Sequence, residues 1–193
     1  MKRAFGFIDV QQDFMNINGK LYVSGSESIK EKIVKLVNFA EIYECSIFFT
    51  QDLHLNGDPE LISAGGIFPD HCMNGTLGAN IIDDIILTII PQTFTKRCYD
   101  IFDDKLGSPD RVKNWLKKNN VTEVWLAGVV GNICVEAAAN GFRKEGIDVY
   151  IIEDAVVWMD LENGIFCKDN DNKEKSIERL KKIGCHFVKF ALL

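Results

Sequence analysis

The chain has 193 residues and a mass of 21.8 kDa, room for one compact domain with a sizeable core. Hydrophobic residues make up 47% and charged residues 26%, which argues against a disordered, collagenous or coiled-coil chain. The 22 Lys and Arg against 28 Asp and Glu give a formal charge of -6, a poor match for a nucleic-acid backbone.

The first apolar run stops at Asp9, too soon for a secretory signal. The most apolar stretch, Ile81 to Ile90, carries Asp83 and Asp84 in its middle, so no run approaches a membrane span. The expectation is a cytoplasmic protein that engages neither membrane nor nucleic acid. Six cysteines (Cys45, Cys72, Cys98, Cys134, Cys167, Cys185) form no CxxC pair. In a reducing compartment most of them read as small buried apolar residues.

In chain order, Arg3 to Asp9 reads as a buried strand ending in a carboxylate. Ser28 to Tyr43 has Ile29, Ile33, Leu36, Val37 and Ala40 on one face, the period of an amphipathic helix. Ser46 to Gln51 is a second strand, followed at once by Asp52. Residues 53 to 80 hold seven Gly and Pro and no long periodic segment, a loop long enough to form a site. Gln92 to Thr95 is a third strand leading into Lys96, and Ser108-Pro109-Asp110 signals an N-cap and a helix running to about Lys118. Val121 to Gly128 is a fourth strand, Cys134 to Glu145 a helix, and Ile147 to Ile152 a fifth strand. Leu161 to Lys175 reads as a solvated loop, Lys173 to Ile183 as a helix and His186 to Phe190 as the last strand. Nothing divides the chain, so residues 1–193 are expected to form one α/β domain. Its architecture is three-layered: a mainly parallel six-stranded sheet with helices on both faces.

Ligands of such folds bind at the carboxyl ends of the strands. There stand Asp9 after the first strand, Asp52 and His54 after the second, Lys96 after the third, and Gly131, Asn132 and Cys134 after the fourth. Cysteine attacks as its thiolate, and a helix start and a neighbouring cation both lower its pKa. Cys134 would be the nucleophile, Lys96 the cation and Asp9 the proton carrier, with backbone amides of the Val130–Cys134 turn facing an oxyanion. Singly, a Cys at a helix start is usually structural and an Asp at a strand end is often a cap.

Asp52-Leu53-His54 together with His71 offers carboxylate and imidazole ligands suited to Zn²⁺, Fe²⁺ or Mn²⁺. Glu60 is the first candidate for a fourth protein ligand and Asp58 the second. The same spacing is equally compatible with a hydrogen-bonded loop carrying surface histidines. Phe14 and Phe68 flank this region and could sandwich a flat substrate, although aromatics are more often core. No P-loop, GxGxxG or HExxH is present.

These segments resemble the isochorismatase-like cysteine hydrolases, and among them the nicotinamidases, also called pyrazinamidases. The resemblance rests on Ile8-Asp9-Val10-Gln11-Gln12-Asp13-Phe14, Thr50-Gln51-Asp52-Leu53-His54, Phe68-Pro69-Asp70-His71-Cys72, Gly75-Thr76-Leu77-Gly78-Ala79, Thr95-Lys96-Arg97 and Gly128 to Val135. It implies a catalytic triad of Asp9, Lys96 and Cys134, and a divalent metal, zinc first, on Asp52, His54 and His71 with Glu60. It also implies a cis peptide between Val129 and Val130 beside the oxyanion, and deamidation of nicotinamide to nicotinate through a cysteine thioester. Members of the family are often oligomeric, which implies self-association. Two departures stand out: Gly131-Asn132 where the family usually has Thr-Asp, with Asn132 expected to keep the capping role, and Leu77 where it has Pro. The rival readings are another hydrolase of the superfamily, acting on a different amide or on a vinyl ether, and a catalytically silent binding protein on the same scaffold.

Overall fold

Six strands, the central ones buried on both faces, pair side by side as a parallel sheet, since each is separated from the next by a crossover too long for a hairpin. They are β1 (Arg3–Ile8), β2 (Ser46–Asp52), β3 (Gln92–Lys96), β4 (Glu123–Gly128), β5 (Asp148–Val156) and β6 (His186–Val188). The computed structural model describes residues 2–161 and 171–190. Cys167 and the middle of the Leu161 to Lys175 loop lie outside the described residues.

The order is β3-β2-β1-β4-β5-β6, and every pairing is parallel, so the mainly parallel expectation sharpens to an all-parallel sheet. The chain winds outward from β1 in one direction and from β4 in the other. The strand order therefore reverses between β1 and β4, and their carboxyl ends open a crevice.

Alternation along each strand sorts the core into two layers. Phe5 and Phe7 of β1, Phe49 of β2 and Trp125 of β4 face one side. There they meet Ile33, Leu36, Val37 and Ala40 of α2 (Lys30–Ile42), and coil residues such as Ile82 complete the cover. Ala4, Ile8, Phe48, Val124 and Leu126 face the other side. Three helices cover them: α3 (Pro109–Asn119), α4 (Glu136–Lys144) and α5 (Lys173–Lys182). Gly6 is required by this packing. A Cβ there would lie 2.2 Å from Cζ of Phe48, whose ring crosses the strand.

Several boundaries move. A short helix, α1 (Gln12–Met15), follows β1 with too few residues to show a period. A 3-10 turn (Ser26–Ile29) precedes α2, and β5 runs on to Val156. Cys134 lies in a single wide turn (Gly131–Val135) that feeds α4 rather than in the helix itself. Ser108 stands at the start of α3 without capping it; its hydroxyl instead donates to the Thr95 carbonyl at 2.6 Å, tying α3 to the end of β3. Among the described residues no helix is long and apolar enough to cross a membrane.

Candidate active site

The strand ends bring three reactive side chains together beneath the crevice. Asp9, at the end of β1, has φ 50°, a left-handed conformation that Asp tolerates better than most residues. Its amide donates to Thr50 Oγ1 at 3.1 Å, and Thr50 Oγ1 donates to Asp9 Oδ1 at 2.6 Å. Lys96, at the end of β3, reaches across β2. Its Nζ lies 2.8 Å from Asp9 Oδ2, donates to Asp52 Oδ1 and stands 3.7 Å from Cys134 Sγ. The lysine is 1% exposed, so this ammonium exists only because carboxylates surround it.

Burial sets the protonation states. It pushes Asp9 up, with Lys96 opposing, and Asp52 is held below its ordinary value by Lys96 and His71 against the same burial. Lys96 stays charged because Asp52 and Asp9 outweigh its desolvation. For Cys134 the sequence-based expectation of a lowered pKa is reversed. Burial pushes the thiol well up, and the nearby Asp9 and Asp52 charges add to burial against Lys96. Cys134 is thus favoured as the neutral thiol, with Asp9 within hydrogen-bonding reach of its sulfur.

Asp52 joins this cluster to a second one. Single ligand atoms of Asp52, His54 and His71 all lie within 4.8 Å of one another, and all three residues are buried. His71 Nδ1 donates to the Pro69 carbonyl at 2.7 Å, and His54 Nδ1 donates to Asp58 Oδ2 at 3.1 Å. Both acceptors can only accept, so both rings carry a proton on Nδ1; burial holds His54 below its ordinary value and leaves its Nε2 bare, whereas the Asp52 and Pro69 contacts raise His71 against burial. His54 Nε2 is buried without a partner, and His71 Nε2 faces Asp52 Oδ2 at 3.9 Å. An orphaned imidazole lone pair beside a carboxylate is what a divalent cation would satisfy. The charges agree, since two buried carboxylates, Asp9 and Asp52, share the one ammonium of Lys96.

Glu60 lies outside that group of three but lines the same pocket as Asp52 and His71. Burial and the Asp52 charge raise its carboxyl to about 7. A carboxyl raised on folding lends stability that is complete below its unfolded value and lost as pH rises through about 7. Metal-free protein should therefore lose unfolding temperature between pH 5 and 8 more steeply than Glu60→Gln, within about those limits of the two pKa values. Parallel curves for the two proteins would remove Glu60 from the buried charge set. Asp58, the second candidate ligand, is occupied elsewhere: it accepts from Arg97, from the Leu55 amide and from His54.

Both clusters open on a cavity of about 80 Å³ lined by Phe14, Phe68, Val130, Ile133, Cys134 and Met159, among others. Phe14 and Phe68 stand edge-on to the His71 ring at 5.4 and 5.8 Å between centroids. Val129-Val130 is cis, and both residues are buried beside the Cys134 turn.

Across residues 3–190 the chain matches the isochorismatase domain. It belongs to the isochorismatase family. A nicotinamidase/pyrazinamidase of Mycobacterium tuberculosis is 29% identical over 164 residues, covering 79% of this chain and 84% of that protein. The structure of a Pyrococcus horikoshii pyrazinamidase in complex with zinc superposes with a TM-score of 0.79 at 26% identity, covering 98% of this chain and 100% of that one. The structure of PnC1 from L. infantum in complex with nicotinate superposes with a TM-score of 0.83 at 22% identity over 98% of this chain and 93% of that one, a likeness of fold.

Within this isochorismatase fold, Asp9, Lys96, Cys134, Asp52, His54, His71, Glu60, Phe14, Phe68, Val129 and Val130 all fall around one crevice. Asn132 does not cap the turn as expected. Its amide nitrogen donates to the Met159 carbonyl at 3.0 Å, and its oxygen accepts from the Met159 amide at 3.2 Å, pinning a residue that lines the pocket. Sequence reasoning missed Thr50 and Gln11. The Gln11 side chain donates to the Asp52 and Ala79 carbonyls and accepts from the Asp52 amide, each at 2.8 Å, so a fully buried amide holds the end of β2 against β1. Their one signal was polarity inside otherwise apolar strand-end runs.

Proposed function

We propose that this protein is a metal-assisted cysteine amidohydrolase that converts nicotinamide to nicotinate and ammonia. The observation that carries the reading is the single ammonium of Lys96, which touches Asp9, Asp52 and Cys134 at once and so couples a nucleophile to a set of metal-ligating side chains. The relatives named as nicotinamidases and pyrazinamidases support the substrate. The pocket supports it too, being small, mostly apolar and walled by Phe14 and Phe68. The intact reactive set disfavours a silent binding protein, and the His54–His71–Asp52 group disfavours a metal-free hydrolase of the superfamily.

In this reading Asp9 takes the Cys134 proton while Sγ attacks the carboxamide carbon. Amides of the turn beginning at Val130 receive the developing oxyanion. The C–N bond breaks as Asp9 passes its proton to the amide nitrogen, releasing ammonia and leaving an acyl thioester on Cys134. Asp9 then takes a proton from water, hydroxide adds to the thioester carbon, the C–S bond breaks and the proton returns to Sγ. Lys96 stays protonated throughout and keeps Asp9 and Asp52 from repelling each other. A divalent ion bound by Asp52, His54 and His71, with Glu60 near by, would supply a Lewis-acid contact for the ring nitrogen of the substrate.

Zinc-loaded protein is expected to release ammonia from nicotinamide and pyrazinamide in step with the free acid. No ammonia from either, with turnover of another amide in the same panel, would overturn the substrate and keep the chemistry.

A further inference from the structure

The loop after β2 contains a buried carboxylate that the reaction above does not use. Asp58 is 1% exposed, and its carboxylate accepts hydrogen bonds from His54, the Leu55 amide and Arg97. Its Oδ2 accepts from His54 Nδ1 at 3.1 Å and from the Leu55 amide at 2.9 Å. Its Oδ1 accepts from Arg97 Nη2 at 2.6 Å and Nε at 3.0 Å, and the same Nε lies 3.2 Å from Oδ2. The forked guanidinium therefore holds both carboxylate oxygens in one plane and leaves Oδ2 aimed at the imidazole.

Arg97 follows Lys96 directly. Two consecutive cations at the end of β3 thus serve two different carboxylates. Lys96 holds Asp52 and Asp9 on the reacting side, and Arg97 holds Asp58 on the far side of His54. The Arg97 amide donates to the Leu106 carbonyl at 2.7 Å, which anchors the arginine's backbone independently of the loop that carries Asp58.

We infer that Asp58 and Arg97 are positioning residues that set the metal affinity of this site by fixing His54 with its Nε2 lone pair facing Asp52 and His71. The inference rests on the metal-binding reading proposed above. Its physical basis is that a carboxylate accepting the second ring N–H of a ligating histidine locks the tautomer, orients the ring and strengthens the donor nitrogen. Without Asp58 the ring can rotate or shift its proton to Nε2, and the ligand set loses one of its three members. Without Arg97 the carboxylate keeps both its acceptor contacts but loses the brace that holds them in line.

The test compares zinc affinity of full-length metal-free protein by competition with a chromophoric chelator, with no activity measured. Asp58→Ala is expected to weaken zinc binding about 10- to 100-fold, the range found when such outer partners are removed. Asp58→Asn keeps a neutral acceptor and should lie between wild type and Asp58→Ala. Arg97→Gln leaves the His54 and Leu55 contacts in place and gives a smaller loss in the same direction, and as a half-exposed side chain it keeps the test open if Asp58→Ala does not fold. The imidazole Nδ1–H resonance of His54 in the zinc-loaded protein should sharpen and move downfield in wild type and be lost to exchange in Asp58→Ala. Wild type that binds zinc, with variants that bind it equally well and lose only unfolding temperature, would make Asp58 a loop brace and overturn this inference alone. Wild type that binds no zinc would overturn the metal reading beneath it.

Discussion

Cys134→Ala is expected to reduce ammonia release from nicotinamide by at least about 10⁴-fold, since removing the nucleophile leaves only binding and electrostatic stabilisation. The thiol lies in the same contact as Asp9 and Lys96, so the loss has a single cause. Asp9→Asn keeps the shape and the acceptor for Thr50 but cannot carry the proton. It should fall by about 10²–10⁴-fold, the usual worth of a positioned general base. The double variant should be little worse than Cys134→Ala, because groups that act as a unit do not add. Retention of more than a tenth of wild-type turnover in Cys134→Ala would end the thioester mechanism.

Lys96→Met is expected to abolish turnover and to destabilise the metal-free protein by about 3–5 kcal/mol, the range for removing one partner of a buried ion pair. The cause is the geometry. Lys96 is the shared cation of Asp9 and Asp52, and its removal leaves two buried carboxylates facing one another. The penalty should grow with pH, since protonating one of them relieves the repulsion. Added zinc should recover more stability in Lys96→Met than in wild type, because a divalent cation replaces the missing charge. Urea unfolding with and without zinc measures both effects. An unfolding free energy within about 1 kcal/mol of wild type would mean that the carboxylates are not held as described.

The fold was largely legible because parallel strands buried on both faces read as short apolar runs, and Phe5, Phe48, Phe94 and Leu126 mark them plainly. Helix bounds were less so. The turn before α4 and the four-residue α1 are set by where residues 9–15 and 129–135 must go, which no periodicity encodes. The braces Thr50, Gln11 and Asp58 with Arg97 were invisible for a related reason. Their partners, such as Asp9 for Thr50, Asp52 for Gln11 and His54 for Asp58, are brought near by the fold, and a hydrogen bond needs position to within a fraction of an ångström. The Ser108 hydroxyl and the Asn132 amide kept their expected places but found different partners there.

By itself the order of residues determined which chemistry could exist here: a thiol, an acid, an amine and an imidazole just after buried strands, and a second imidazole in the long loop. Only the tertiary structure decided that they share one pocket, because the reversal of strand order between β1 and β4 sets Asp9 beside Cys134. It also decided the direction in which the Cys134 thiol is shifted. Desolvation depends on what surrounds the sulfur on every side, and that quantity has no linear code.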